Sequence, residues 1–209
     1  SRGCSFNSSH RMCCKMRFRH RLAVFVCGWL VAGSMAAATE VAGIRLDDGV
    51  EVGNARLQLN GAGIRYKAIF KVLVAGLYLG RKASTPEEVF AAPGPKRMSL
   101  TFLRDVDSQA FSKQFMMGFA DNTPADEVAK LAPALHRMSL LIAEQKKILT
   151  GDTLTIDWIP GAGTVISFKG KPQGQAFKEG ELMTGLLAMW VGKNPADAGL
   201  KEALLGRSP

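Results

Sequence analysis

Two arginines beside apolar segments are the residues of this sequence best suited to hold an anion. Arg65 follows the triplet Gly61-Ala62-Gly63 after one residue, Ile64, and Arg104 ends the apolar segment 99–103. A guanidinium is planar, stays charged and donates hydrogen bonds in pairs, so an arginine next to an apolar cavity can bind a carboxylate or an enolate. For Arg104, the neighbouring Asp105 favours an ion pair that fixes a strand end. For Arg65, both a binding role and a structural ion pair are open.

Hydrolase and metal chemistry have little support in the sequence. His136 is the one histidine after residue 38, and no G-x-S-x-G segment accompanies it, so we interpret it as a surface or half-buried helix residue. The carboxylates are scattered, which predicts no metal site, and no cofactor is predicted. The triplets Gly61-Ala62-Gly63 and Gly161-Ala162-Gly163 lack the lysine and third glycine of a phosphate loop, and we interpret both as turns.

Residues 1–38 are predicted to be an upstream segment followed by an export signal that is removed. Three arginines lie within residues 17–21, residues 22–32 are mostly apolar, and residues 36–38 are alanines suited to cleavage. That apolar run has 11 residues where a membrane-spanning helix needs about 20, so no permanent membrane span is expected. Whether the signal is cleaved or kept as an anchor stays open. The mature domain, residues 39–209, is predicted to be periplasmic or otherwise exported.

Removal of this segment changes the charge and the cysteine content. The whole chain has 27 basic and 18 acidic residues, for a net charge of +9, but six of the basic residues and none of the acidic ones precede residue 39. The remaining 21 basic and 18 acidic residues give +3 and are interspersed, which predicts no nucleic-acid partner. All four cysteines precede residue 39 as well, so the mature domain is expected to lack disulfides, thiolate nucleophiles and cysteine-ligated metals.

The hydrophobic patterns predict strands, then helices, then strands and helices again. Alternating segments between residues 41 and 60 predict hairpins, and the nearly apolar residues 69–79 predict a central strand covered on both faces. Further strands are predicted at residues 98–106, 154–158, 164–169 and 172–177, and helices at residues 86–91, 108–119, 124–142, 179–191 and 195–205, the last capped by Asn194. This order predicts one α+β domain, with helices over one face of a largely antiparallel sheet.

Three segments in this order and spacing resemble the chalcone isomerase family, most closely its bacterial exported branch. They are Asn60-Gly-Ala-Gly-Ile-Arg65, Lys71-Val-Leu-Val-Ala-Gly-Leu-Tyr-Leu79 and Phe102-Leu-Arg-Asp-Val106. The similarity spans residues 41–205. It implies an open-faced β-sandwich, with a long sheet backed by helices and a ligand cleft between them.

The resemblance also implies roles for individual residues. Arg65 matches the arginine that guides the substrate phenolate and stabilises the enolate as the flavanone ring closes, and Thr184 matches a hydroxyl position near the end of the chain. The catalytic threonine falls on Leu73, while the tyrosine and asparagine of the middle helix fall within residues 127–135, which contain neither.

Fatty-acid binding members of the family pair the same arginine with a tyrosine at the position of Leu73, and that tyrosine is also absent here. Tyr78 lies five residues further along the strand and should point to the opposite face. Tyr66, next to Arg65, can contribute only if the strand bends.

The preferred hypothesis is a non-catalytic or weakly catalytic exported protein that binds a small amphipathic acid, such as a fatty acid, in an apolar cleft. Its predicted ligand-binding residues are Arg65, Tyr66, Leu73, Arg104 and Thr184. One alternative is an isomerase, an intramolecular lyase of the chalcone isomerase type, acting on an unknown substrate through Arg65 and Thr184. Another is an envelope interaction module without a small ligand, which predicts a filled cleft and an exposed apolar patch. The oligomeric state stays open.

Overall fold

The computed structural model describes residues 38–207, so the predicted export signal lies outside the described residues apart from Ala38. The strands are β1 (Ala38–Val41), β2 (Ile44–Asp47), β3 (Gly49–Val52), β4 (Ala55–Lys67), β5 (Phe70–Leu79), β6 (Lys96–Phe102), β7 (Val106–Asp107), β8 (Lys147–Ile148), β9 (Thr153–Ile159), β10 (Gly163–Phe168) and β11 (Lys171–Pro172). The helices are α1 (Pro86–Ala91), α2 (Ser108–Ala120), α3 (Ala125–Ala143), α4 (Gly180–Val191) and α5 (Ala198–Leu204).

Seven strands form one sheet in the order β11-β10-β9-β6-β5-β4-β3, and every neighbouring pair is antiparallel. The helices α2 and α3 lie in the connection between β6 and β9, which are neighbours in the sheet. The predicted α+β architecture, an antiparallel sheet backed by helices, is therefore confirmed.

The sheet has an apolar core on each face. On one face, Leu73, Ala75, Leu77 and Leu79 of β5 pack with the helices in the main core. On the other face, Val74 and Tyr78 join a smaller cluster with residues of β2, β3 and β4. This alternation confirms the prediction that β5 is buried on both faces, and it places Tyr78 opposite Leu73, as expected from the two-residue period of a strand.

The prediction of a turn at Gly61-Ala62-Gly63 is wrong, because the triplet lies inside the 13-residue strand β4. A Cβ atom added at Gly61 would come within 2.1 Å of the Ala203 carbonyl oxygen, and one at Gly63 within 2.7 Å of the Ala203 Cβ. Helix α5 therefore packs directly on the backbone of the strand. Glycine is required here for close approach, not for a turn.

Three smaller predictions also differ from the structure. The strand predicted at residues 172–177 is reduced to the two residues of β11 and a single bridge from Phe177 to Thr164, because Gly170 and Gly174 turn the chain with positive φ. The strand predicted at residues 98–106 ends at Phe102. Helix α5 starts three residues later than predicted, since the side chain of Asp197, not Asn194, accepts a hydrogen bond from its first turn.

Candidate functional site

Arg65 lies near the end of β4 and faces the helices. Its neighbour in the β4–β5 register is Leu73, and directly paired residues of an antiparallel sheet place their side chains on the same face. Leu73 is fully buried in the main core beneath the helices. The Arg65 guanidinium therefore enters the space between the sheet and the helices, as expected for the cleft.

Two adjoining cavities meet at Arg65. The first, which we call the helix cavity, has a volume of about 250 Å³. It is lined by Arg65, Phe111, Gln114, Phe115, Met117, Gly118, Asp121, Met189, Trp190, Asn194, Pro195 and Ala196. Its walls are thus the apolar face of α2, the last turn of α4 and the loop that follows α4.

The second, the hairpin cavity, has a volume of about 310 Å³. It is lined by Arg65, Lys67, Phe70, Val72, Arg104, Asp105, Val106, Asp107, Ala110, Phe111 and Gln114. Arg65, Phe111 and Gln114 line both cavities. Together they form a path along α2 with one positive charge near its middle, and each volume is close to the lower limit of small-molecule sites, about 300 Å³.

Burial lowers the pKa of Arg65 from its usual value, and the nearby carboxylate of Asp197 acts in the opposite direction. The two oxygens of Asp197 already accept backbone hydrogen bonds, from Tyr66 N at 2.9 Å and from Leu200 N at 2.9 Å. Among the described residues, no carboxylate lies within ion-pair distance of Arg65. Arg65 thus remains a cation that an incoming anion can pair with.

Two residues that line the helix cavity each carry a buried N–H group without a partner. Within the part of the chain that the structure describes, neither Arg65 Nε nor Trp190 Nε1 donates a hydrogen bond. The Trp190 side chain is 2% exposed and lines the helix cavity with Arg65. A buried donor without an acceptor costs about 1–3 kcal/mol, so an acceptor that reached either group would be stabilised.

The loop after α4 is fixed by a pair of asparagines. Asn122 donates to the carbonyl oxygen of Asn194 at 2.8 Å, and Asn194 N donates back to Asn122 Oδ1 at 2.9 Å. The Asn194 side chain also donates to Asp121 O at 2.9 Å. These bonds hold the loop of residues 194–196 on the end of α2 and so set the width of the helix cavity.

The other predicted site residues take different places. Leu73 lies beside Arg65 in the core, and Tyr66, which is 42% exposed, follows a register shift at the Arg65/Tyr66 step of β4. Arg104 lines the hairpin cavity. Thr184 lies on the exposed side of α4 and lines neither cavity. The structure therefore brings Arg65 and Arg104 to one cavity, whereas Leu73, Tyr66 and Thr184 line neither cavity.

The predicted ion pair between Arg104 and Asp105 is wrong. The Arg104 guanidinium stacks over the ring of Phe70 at 4.7 Å from its centroid. Asp105 instead pairs with Lys147 at 2.8 Å. The hydrogen bond from Lys147, together with bonds from Thr150, lowers the pKa of Asp105 to about 2. Asp105 is consequently ionised at neutral pH and unsuited to act as a general acid.

Residues for hydrolytic or metal chemistry are not gathered at this site. His136 is exposed on α3, as interpreted from the sequence. No cluster of three or more potential ligands that could hold a metal ion is found among residues 38–207. In the same range, none of the helices has the length and apolarity needed to cross a membrane.

Trp190 and Asp197 are the residues that sequence reasoning missed. Trp190 falls in a helix whose residues 185–191 are all buried, so its periodicity marks no distinct face for a binding residue. Asp197 is 132 positions from Arg65, and only the folded chain brings it to the end of β4. A helix-capping aspartate before Leu200 was the available local signal.

Comparisons with known proteins agree with this fold. A family model described as chalcone isomerase-like matches residues 38–206. A crystal structure of a fatty-acid binding protein of Arabidopsis thaliana is similar with a TM-score of 0.65 and 15% sequence identity, over 78% of this chain and 92% of that chain. At that identity the likeness shows the fold alone. A comparison with curated protein sequences finds no match.

Proposed function

Because this chain belongs to the chalcone isomerase-like family, we propose that it uses the cleft of that fold to bind a small amphipathic acid, such as a fatty acid, without transforming it. The observation that carries the proposal is a pair of residues, Arg65 and Trp190, that line one largely apolar cavity and that each carry a buried N–H without a partner. A ligand with one anionic end and an apolar body complements both features.

The carboxylate of the ligand would accept hydrogen bonds from Arg65 and Trp190, and its apolar body would pack against the aromatic walls. An arginine donates to a carboxylate through charge-assisted hydrogen bonds, which are about twice as strong as neutral ones. The cavity has an apolar wall, which is formed by Phe111, Phe115 and Met189. Each methylene group buried there contributes about 0.8 kcal/mol, so a longer chain binds more tightly until the cavities are filled.

Binding without catalysis is favoured by the position beside Arg65. Ring closure of a chalcone requires a proton to be handled near the stabilised enolate, and Leu73, the register neighbour of Arg65, carries no ionisable or hydroxyl group. The Arabidopsis protein with this fold is described as a fatty-acid binding protein, which supports the same class of function here. Isomerase activity remains the alternative that an assay can decide.

We also propose that the domain acts outside the cytoplasm. The support is the order of features in residues 17–38, a basic cluster, an apolar run and small residues, followed by a domain without cysteine. Fractionation of the host cell tests this, with sequencing of the first residues of the mature protein. We expect a start near Thr39 in the envelope fraction, and an intact cytoplasmic chain would contradict it.

The binding proposal is tested by native mass spectrometry and by titration with a fluorescent fatty acid. We expect the protein to retain a lipid-sized mass and the Arg65→Ala variant to lose it, with affinity reduced at least about 30-fold because the carboxylate loses its charged partner. Arg45→Ala is the matched control, since Arg45 is exposed on β2, away from both cavities.

Equal affinity in the wild type and the Arg65→Ala variant would sink the proposal. Turnover of a chalcone or a related unsaturated ketone, lost in the Arg65→Ala variant, would replace it with the isomerase alternative. Protein that neither retains a ligand nor turns over such a ketone would favour an interaction module.

A further inference from the structure

The tip of the β4–β5 hairpin, which we define as residues 66–71, displays apolar side chains to solvent. Ile69 is 85% exposed, Phe70 is 53% exposed and Tyr66 is 42% exposed. Isolated exposed apolar residues are common on proteins, but three of them on one hairpin tip form a patch of the kind that marks an interaction site. These three are half of the six large apolar side chains that are exposed among the described residues.

The turn itself departs from ordinary turn chemistry. Lys67 pairs with Phe70, which leaves Ala68 and Ile69 as a two-residue loop, with Ala68 at a φ of 54°. Such loops favour asparagine, aspartate or glycine, because these residues adopt positive φ at little cost. An alanine followed by a β-branched isoleucine makes the loop less favourable and projects an apolar side chain at its apex.

Cations surround this apolar tip. Lys67 and Lys71 flank the turn, and Arg104 stacks on Phe70. None of the three takes part in an ion pair with another described residue. The nearest acidic groups are engaged, since Asp105 pairs with Lys147, Asp107 caps α2 through Ala110 N, and Asp197 accepts from Tyr66 N and Leu200 N.

We propose that the hairpin tip docks on an anionic membrane surface. Ile69 and Phe70 enter the interface between headgroups and acyl chains, while Lys67, Lys71 and Arg104 contact the lipid phosphates. An apolar apex with a cationic border is the arrangement that binds peripherally to anionic bilayers. No transmembrane helix is needed for this mode of binding, and the charge complementarity selects the occupant.

The tip lies next to the opening of the hairpin cavity. Lys67, Phe70 and Arg104 belong both to the cationic apolar tip and to the lining of that cavity, which continues to Arg65. Docking would place the cavity against the bilayer, so that an amphipathic acid exchanges between the membrane and Arg65 without crossing bulk water. This exchange route rests on the proposed function, whereas the docking itself does not.

A protein partner fits the tip less well. Stable protein interfaces bury about 800 Å² on each side, and they commonly deplete lysine. The tip offers three apolar side chains with lysines on both sides, which is small and strongly cationic for such an interface. Binding to a membrane requires no complementary shape, and each added cation strengthens the binding to anionic lipids.

Flotation with lipid vesicles tests the proposal on the mature domain, residues 39–209. We expect binding to vesicles that contain phosphatidylglycerol, weaker binding to phosphatidylcholine alone, and release by salt because the charges are exposed. The Lys67→Gln/Lys71→Gln variant should bind about fivefold more weakly for each cation removed. Ile69→Ser should weaken binding about tenfold or more, because this side chain is nearly fully exposed in solution.

Matched controls keep the test specific. Leu140→Ser removes an apolar side chain that is 49% exposed on α3, and Lys130→Gln/Lys171→Gln removes two exposed lysines from α3 and β11. Both controls should bind vesicles like the wild type. Equal binding by tip and control variants would overturn the proposal, as would absence of binding to anionic vesicles.

Two further measurements separate the possible failures. Arg65→Ala should lose the fatty acid and keep vesicle binding. Fatty-acid binding and membrane docking are therefore tested independently of each other. Size-exclusion chromatography should show the same species for the wild type and for Ile69→Ser. A dimer that only the wild type forms would assign the tip to a second copy and overturn membrane docking.

Discussion

At the scale of single residues, the site combines features that do not stabilise the empty fold. Arg65 is half-buried without a paired carboxylate, and Trp190 is buried with an unbonded N–H. Each feature costs free energy that ordinary core packing would avoid. Costs of this kind are often found at functional sites, where activity can require a locally destabilised arrangement. Replacing either residue is therefore expected to weaken ligand binding while removing a cost to the stability of the ligand-free protein.

Replacement of Trp190 by phenylalanine tests this opposition. We expect the affinity for a fatty acid to fall at least about tenfold, because a carboxylate loses a donor worth about 1.5–3 kcal/mol. We expect the free energy of unfolding of the ligand-free protein to change by less than about 1 kcal/mol, because lost packing is offset by removal of an unpaired donor. Ligand titration and urea unfolding measure the two quantities.

Trp158→Phe is the control for the Trp190 variant, because Trp158 is partly buried on β9 and lines neither cavity. Its affinity should match that of the wild type. If both variants weakened binding equally, the effect would come from general packing, and the Trp190 N–H would have no part in it.

Tyr78, on the opposite face of the sheet, carries a prediction for alkaline pH. Burial, and then the charge of Asp47, raise the pKa of its hydroxyl to about 12. A pKa raised by folding stabilises the protein fully below the unfolded value, about 10, and this stabilisation is lost as the pH rises through 12. The loss is no more than about 2 kcal/mol, because solvent screens part of the effect.

Titration of the Tyr66→Phe variant measures that pKa directly, because Tyr78 is then the one tyrosine in the chain. The tyrosinate absorbance should rise with a midpoint near 12. In urea unfolding, Tyr78→Phe should lose less stability than the wild type between pH ~10 and ~12. A midpoint near 10, the ordinary value, would contradict the burial of the hydroxyl.

At the scale of elements, the site depends on how α5 is seated on β4. Gly61 and Gly63 let the helix lie against the strand. The side chain of Asn60, the residue before Gly61, donates a hydrogen bond to the Leu204 carbonyl oxygen at 2.7 Å. The strand and the helix then bring Asp197 to the backbone of Tyr66, next to Arg65. The close approach of α5 thus sets the electrostatic surroundings of the anion site.

Substitution of Gly61 by alanine should therefore disturb both stability and binding. Its Cβ would overlap a backbone carbonyl that cannot move alone, so we expect a loss of about 2–3 kcal/mol of unfolding free energy, at the upper end of overpacking effects. Gly80→Ala is the control, because the nearest atom to its Cβ would be 4.0 Å away. Urea unfolding midpoints that fell equally in both variants would argue against close packing of α5.

The same elements show what the sequence can and cannot predict. The predictions of strand β5 and helix α1 are correct because their signals are local. These signals are a nearly apolar run and a capping box between Thr85 and Glu88. The Gly61–Gly63 triplet was misread because local turn chemistry and a contact with Ala203, distant in the chain, select the same residue type.

The candidate site was predicted in part for a related reason. Arg65 is predictable because an arginine beside apolar segments is suited to hold an anion and because the family resemblance marks the position. Trp190 was not found, since whether a buried N–H has a partner is a property of the packed structure and leaves no trace in a helix that is buried all round. Local patterns therefore identified the cation of the site but not the second donor.

At the scale of the whole molecule, the site lies on the helix face of the sheet, within the main core. A ligand between Arg65 and α2 would contact β4, α2 and α4 at once, and so would tie together elements that are distant in sequence. A ligand that binds only the folded protein stabilises it by about 2.7 kcal/mol at a concentration 100 times its dissociation constant. The proposed binding would therefore couple unfolding to occupancy of the cleft.

Removal of the ligand should accordingly lower the melting temperature of the domain. For a protein of this size, 2.7 kcal/mol corresponds to about 5–10 °C, measured by scanning calorimetry before and after delipidation and after addition of a fatty acid in excess. The Arg65→Ala variant should show a smaller shift under the same treatment, while Arg45→Ala should behave like the wild type. A shift of equal size in all three proteins would mean that lipid binds elsewhere than at Arg65. If the ligand pairs with the Arg65 guanidinium, the shift in melting temperature must become smaller when that group is removed.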